Sequence, residues 1–276
     1  MRKSETADDM ERYFSGQELY GDDFSGARLQ EWYDGEAEGY AGEVLNNQPR
    51  YRYHYHELNR YHLFDRIDLP VGGEAIGLGS AYGHEFLPIA DRLDKITIID
   101  PSDEFAAHGA LENTPLVYRK PALDGSLDFP DNHFQLATSL GALHHIANVS
   151  AVIREFYRCL APGGYMLIRE PIVTQGDWRR PRPGLTRNER GIPLRLMKQI
   201  AIDAGFEIKY AALFDFAPFT RFMATIGSPA FTQAWSTRVD RLLSIIFSFN
   251  TRYHRPRVAD RLGPASLALV LRKPPA

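Results

Sequence analysis

Cysteine is almost absent: Cys159 stands alone in 276 residues. No intrachain disulfide can form, no cysteine metal cluster is available, and a reducing compartment is the simple expectation. Long apolar runs are missing too, since none approaches the roughly 18 residues that a membrane-spanning helix needs. The N-terminal MRKSETADDMERY has no apolar segment behind Arg2 and Lys3, which argues against a secretory signal. Nor is there an excess of one charge. A formal net charge of -3 and a pI near 6.3 give no global attraction to nucleic acid or to an anionic membrane, so any polyanion contact must be local. These absences predict a cytoplasmic protein with no membrane span and no nucleic-acid partner.

What is present suits one large α/β domain: 44% apolar and 24% charged residues, without repeats or low-complexity tracts. The stretch EAIGLGSAYGHEF, residues 74–86, reads as a buried strand, a glycine turn and a helix start. Gly77 and Gly79 carry no Cβ, so the backbone can turn sharply and a ligand can approach. Asp100 closes the next apolar run, KITIID, where a strand-end carboxylate could receive the two hydroxyls of a ribose. An adenosine-containing cofactor is therefore the first expectation. The glycines fall at 77, 79 and 83, with Tyr82 where a dinucleotide fingerprint places its third glycine, which disfavours a pyrophosphate. A purely structural glycine turn remains the alternative.

Strands at 75–78, 96–100, 116–118, 134–139 and YMLIRE alternate with helical segments at about 82–93 and 148–160, which implies a parallel sheet. Pro88 interrupts the first of these helices. Further strands are expected at 206–216 and 266–274, flanking a helical insertion at 220–249. Residues 1–65 read as an N-terminal helical cap and 66–276 as the main domain. The loops after Leu78, Asp100, Ser139 and Glu170 would converge at the strands' carboxyl ends. From 171 to 191 the chain is rich in Pro, Gly and Arg, a loop of a length that is usually functional. Its arginines suggest an anionic acceptor, such as a nucleotide sugar or phosphorylated glycan, met by Arg179, Arg180 and Arg187, with Trp178 stacking a sugar or anchoring the loop. Pairing of those arginines with the acidic N-terminal helices is the competing reading.

The ordered series GLGSAYG, IIDPS, DFPDNHFQLATSLGALHHI and LAPGGYMLIREP, over roughly residues 71–172, resembles the class I S-adenosylmethionine-dependent methyltransferases, particularly the ubiquinone and menaquinone biosynthesis branch. The resemblance implies a Rossmann-like seven-stranded, mostly parallel sheet with helices on both faces and the last strand antiparallel. It implies S-adenosyl-L-methionine as cofactor. By the resemblance, Gly77, Gly79 and Ser80 take its methionine part, Asp100 with Pro101 its ribose, and Leu123 and Asp124 its adenine. Ser139, Leu140 and Gly141 would lie beneath the sulfonium. Ala81 occupies that family's usual third glycine, a substitution that fits if its φ is negative. Ala75 occupies its usual acid, with Glu74 one residue earlier.

Methyl transfer to a hydroxyl needs alignment and a base. His144 is the preferred candidate, with His145 beside it and Asp177 on the loop as alternatives, since a neutral imidazole near its ordinary pKa suits the task. Either histidine could instead merely pack beneath the loop. Asp131 and Asn132 read as turn residues, and no other carboxylate cluster has ligand spacing, so no metal is expected. An NAD-dependent oxidoreductase and a non-catalytic S-adenosylmethionine-binding protein remain alternatives. The insertion could serve as a lid or as a homodimer face.

Overall fold

The structure is a computed structural model that describes residues 7–36, 52–178 and 180–276. The remainder of the expected N-terminal cap and Arg179 lie outside the described residues.

The sheet carries eight strands: β1 (Glu74–Leu78), β2 (Lys95–Ile99), β3 (Ala110–Leu111), β4 (Thr114–Arg119), β5 (Phe134–Leu140), β6 (Leu160–Pro171), β7 (Glu207–Phe216) and β8 (Pro264–Arg272). Their order is β3-β4-β2-β1-β5-β6-β8-β7. Strands β4, β2, β1, β5 and β6 pair parallel, while β8 runs antiparallel between β6 and β7. The expected sheet is thus observed, and β3 adds a two-residue antiparallel edge that the sequence reading lacks.

Both faces are buried because the strands are apolar on both sides. Ile76 and Leu78 on β1, with Leu267, Leu269 and Leu271 on β8, point into one apolar layer. That layer is completed by α4 (Val149–Cys159) and α5 (Leu194–Asp203). Ala75, Ala268 and Val270, one residue out of phase, face the other layer with Phe86 and Leu58. That second face is covered by α3 (His56–His62) and by the insertion, α6 (Ala217–Thr225) and α7 (Ala234–Ile246), so the insertion begins three residues before its expected start.

The expected α-helix after the glycine turn is instead a 3₁₀ helix, His84–Arg92, with Pro88 inside it. Proline removes an amide donor and clashes with the carbonyl four residues back, so the tighter winding takes over. At α4, Asn148 holds the N-cap position but makes no side-chain cap. Asp22 caps instead, its carboxylate accepting from the Ser150 amide at 2.7 Å and hydroxyl at 2.6 Å. That contact ties the N-terminal segment, α1 (Ala7–Phe14) and a helical run α2 over 27–36, to the carboxyl-end face of the sheet.

Candidate active site

At the carboxyl ends of β1, β2 and β5 lies a cavity of about 180 Å³. Gly79, Asp100, Pro101, Leu123, Gly141 and His145 line it together, drawn from four separate loops of the sheet. Leu29, Trp32, Tyr33 and Glu36 of α2 close its other side. Gly79 adopts φ +65°, and a Cβ there would sit 2.6 Å from the Ala142 Cβ, so the close approach of the two loops needs glycine.

Asp100 is the buried carboxylate of the cavity. It accepts from the Ser102 amide at 2.9 Å and, more weakly, from the Ala81 amide at 3.3 Å. Desolvation outweighs those two bonds and pushes its pKa up to about 6. A buried carboxylate with acceptor capacity left over suits a pair of ribose hydroxyls.

Ala81 departs from expectation. Its φ is +46°, so it holds the left-handed conformation that a glycine normally supplies, at a cost of about 1–2 kcal/mol. Its amide donates to Asp100, and its carbonyl accepts from the Tyr118 hydroxyl at 3.0 Å, which fixes the turn against that strain.

Other expected cofactor residues lie elsewhere. The Ser80 hydroxyl turns inward and donates to Glu85 at 2.9 Å. A Cβ on Gly77 would run into that same hydroxyl, so Gly77 makes room for Ser80 rather than lining the cavity. The Asp124 carboxylate is occupied by the amide and hydroxyl of Ser126. Ser139 and Leu140 are buried behind the cavity, Ser139 weakly against Glu170 at 3.4 Å.

The two histidines separate in role. His144, the preferred base on sequence grounds, is buried and does not line the cavity. Its Nδ1 lies 2.7 Å from Glu170, which also accepts from the amides of Ala142 and Leu143. Burial would raise the Glu170 pKa, but the His144 charge and these hydrogen bonds hold it below the usual carboxylate value. His144 therefore anchors the turn after β5. His145 faces the cavity, with Nδ1 2.9 Å from Glu36, which also accepts from the Asn188 amide and the Thr186 hydroxyl. Burial lowers the His145 pKa, yet the Glu36 hydrogen bond and the charges of Glu189, Glu36 and Glu170 overcome it and hold the imidazole above its ordinary value. The expectation of a histidine near that value is corrected accordingly.

Among the described residues, His144, His145 and Glu189 bring one ligand atom each within 4.8 Å of one another and could hold a metal ion. Sequence spacing gave no sign of it, because Glu189 reaches the pair from the far end of the loop. Glu36, Trp32 and Glu189 were all missed for the same reason: they sit far from the pair in sequence, and no local motif marks them. Glu170 was visible only as the last residue of YMLIRE.

The arginine loop does not face the cavity as expected. Arg190 is fully buried, donating to the carbonyls of Tyr20, His144, Ile146 and Ala147. Arg182 donates to Gln175, Thr186 and Arg187 carbonyls. Arg180 is exposed beside Asp177 at 3.9 Å, and Arg187 is exposed as well. Trp178 is buried, stacked on Phe14 at 4.6 Å and on Tyr20 at 5.5 Å, with its indole donating to the Thr174 carbonyl. It anchors the loop and leaves no open face for a sugar. Arg182 and Arg190 serve backbone carbonyls because a guanidinium fork satisfies several of them where a long irregular segment is buried.

Residues 76–168 match the family model described as a methyltransferase domain. Among curated proteins, an uncharacterized 37.1 kDa protein in transposon TN4556 of Streptomyces fradiae is 26% identical over 53% of this chain and 47% of its own length. Phosphoethanolamine N-methyltransferase 3 of Arabidopsis thaliana is 29% identical over 52% of this chain and 30% of its own length. The chain thus spans less than half the length of these relatives. Among solved structures, the [4+2]-cyclase SpnF superimposes with a TM-score of 0.57 at 18% identity, covering 93% of this chain and all of that one. An S-adenosylmethionine-dependent methyltransferase from Mesorhizobium loti gives 0.51 at 18% identity, over 76% of this chain and 95% of that one. No described helix is long and apolar enough to cross a membrane.

Proposed function

We propose that the chain is a class I S-adenosylmethionine-dependent methyltransferase, a reading supported by the methyltransferase-domain match over residues 76–168, and that it methylates a small acceptor at the cavity between α2 and the carboxyl ends of the sheet. The observation that carries this reading is the convergence of Gly79, Asp100, Leu123 and Gly141 with His145 around one cavity. S-adenosylmethionine supplies, when bound, a methyl group on a sulfonium that an acceptor atom takes by in-line displacement. Asp100 would accept the ribose hydroxyls, Pro101 and Leu123 would pack against the adenosine, and the backbone at Gly79 and Gly141 would leave room for the methionine end.

With Nδ1 of His145 donating to Glu36, the lone pair is left on Nε2, the atom that would take the proton of a hydroxyl acceptor. Glu36 orients the ring and stabilises the resulting imidazolium. An anionic acceptor has less support, since Arg182 and Arg190 are engaged by carbonyls and Arg180 and Arg187 stand outside the cavity. The apolar and aromatic lining from Leu29, Trp32 and Tyr33 favours a largely uncharged acceptor.

Two measurements test the reading. Calorimetry should register S-adenosylmethionine and S-adenosylhomocysteine but not NAD. Transfer of a radiolabelled methyl group across a panel of hydroxyl and amine acceptors should be lost in His145→Ala while S-adenosylhomocysteine binding persists. Cofactor binding with no transfer to any acceptor would favour a non-methylating role on this fold, and NAD binding alone would overturn both.

A further inference from the structure

Helix α7 is built inside out. Its buried residues are Ser236, Thr237, Asp240 and Ser244, whereas Trp235, Leu242, Ile245 and Ile246 are exposed. The polar face is held inward by specific bonds. Asp240 accepts from the backbone amides of Asp215 and Phe216 at 2.9 and 2.8 Å, at the end of β7. The Ser236 hydroxyl donates to the Ala230 carbonyl, and Arg241 donates to the Leu213 carbonyl at 3.1 Å. Asp240 fixes the rotation of the helix, so the apolar stripe must face outward.

Trp235, Leu242 and Ile246 recur at helical spacing on one side of α7, and Phe249, in the 3₁₀ turn that follows, is 83% exposed. Phe222 of α6 and Ile226 at its C-terminal cap are exposed as well. Nine of the thirteen large apolar side chains exposed among the described residues fall within 217–262, so this is a concentrated patch rather than scattered surface.

The chain segment that carries the patch is rich in charge of one sign. Residues 217–262 hold seven arginines against two aspartates, in a chain whose net charge is -3. Of those aspartates, Asp240 is buried and Asp260 pairs with Arg252 at 3.7 Å. Arg221, Arg238 and Arg261 are exposed, and Arg257 lines a cavity beside Glu11 of α1.

We propose that α6, α7 and the following turn dock on an anionic lipid bilayer, the apolar stripe entering the headgroup boundary and the arginines meeting lipid phosphates. An apolar helical face flanked by cations, with a tryptophan at its start, is the pattern of a helix lying in a membrane interface. A second copy of this chain is disfavoured, because a two-fold interface would bring the exposed Arg221 and Arg238 of the same face against themselves. The inference is independent of the methyl-transfer reading.

Flotation of the full chain with vesicles tests it. Binding should appear on phosphatidylcholine vesicles containing phosphatidylglycerol, fall sharply on phosphatidylcholine alone, and weaken as salt is raised. Each of Arg238→Gln and Arg261→Gln should lower partitioning about fivefold. The Leu242→Asp, Ile246→Asp pair should lower it at least about tenfold. These side chains are exposed, and an unchanged circular dichroism spectrum and melting curve would establish that the variants fold. Failure of the wild-type chain to float with anionic vesicles overturns the proposal, as does binding that ignores the stripe variants. A dimer in sedimentation that the Leu242→Asp, Ile246→Asp pair dissociates, with no vesicle binding, would assign the face to self-association instead.

Discussion

Replacing Asp100 by asparagine separates a cofactor-holding carboxylate from a merely structural one. The Asp100 carboxylate takes the Ser102 amide at 2.9 Å and the Ala81 amide at 3.3 Å, and burial pushes its pKa up to about 6. Asparagine keeps an oxygen for Ser102, so the turn should survive, but it presents an amide group where a second hydroxyl must be accepted. Losing one charge-assisted bond costs about 1.5–3 kcal/mol, or roughly 10- to 150-fold in the Kd for S-adenosylhomocysteine.

The pH dependence supplies a second, sharper readout. Only the ionised carboxylate can accept both hydroxyls, so wild-type affinity should rise with pH through about 6 and be about tenfold weaker one unit below that value. The asparagine variant should show no such limb. Folding linkage runs the other way: a carboxyl whose folded pKa is raised adds stability below its unfolded pKa and loses it as pH rises through about 6. Acid loss of binding from this group therefore cannot be mistaken for its contribution to unfolding. Isothermal titration calorimetry from pH 5 to 8 is the assay. An asparagine variant with wild-type affinity, or a wild-type profile that is flat across that range, would refute Asp100 as the ribose acceptor.

Glu36→Gln removes the hydrogen-bonding and charge partner that overcomes desolvation at His145, so the acid limb of kcat/KM for methyl transfer should move to lower pH, with a reduced plateau. An unmoved limb would detach Glu36 from the base. Ala81→Gly should stabilise the fold, since φ +46° costs alanine about 1–2 kcal/mol, and a rise of a few degrees in melting temperature checks it. Arg190→Ala leaves the carbonyls of Tyr20, His144, Ile146 and Ala147 without their donor and should cost about 3–5 kcal/mol, read as a melting temperature lower by roughly 10 °C. A variant that melts like wild type would mean those carbonyls find other donors.

Sheet and cavity were legible to different degrees. Buried parallel strands announce themselves as short apolar runs between turn signals, which is why KITII and FQLATSL fall where expected. The glycine turn and Asp100 were legible because their chemistry is local to one strand end. The proton-handling side was not. His145 and Glu36 are 109 residues apart, and Glu36 lies in an acidic stretch where nothing distinguishes one carboxylate from its neighbours. The arginine loop misled for a related reason. Guanidinium groups read alike in sequence whether they meet a ligand or buried carbonyls, and only folding reveals that Arg190 has no solvent exposure. Helix α7 inverts the usual rule outright, since its inward face is chosen by the hydrogen bonds of Asp240 rather than by apolar burial.

The acid missing at Ala75 has a counterpart elsewhere in the fold. Glu74, one residue earlier, points away, its carboxylate 2.6 Å from Lys95 and 3.1 Å from His133. Ala75 instead joins Phe86 in the apolar layer, as its place on that face of β1 requires. Glu85, at the start of the 3₁₀ helix, is the carboxylate buried beneath the glycine turn, accepting from Ser80 at 2.9 Å and Thr138 at 2.5 Å. Burial raises its pKa, against the pull of those two hydroxyls and of Arg169. A carboxylate in that position fixes the Ser80 hydroxyl and, through it, the turn that shapes Gly79. The Glu85 bond to Ser80 thus adds to the Asp100 and Tyr118 bonds of Ala81 in holding a turn whose conformation glycine would adopt at less cost.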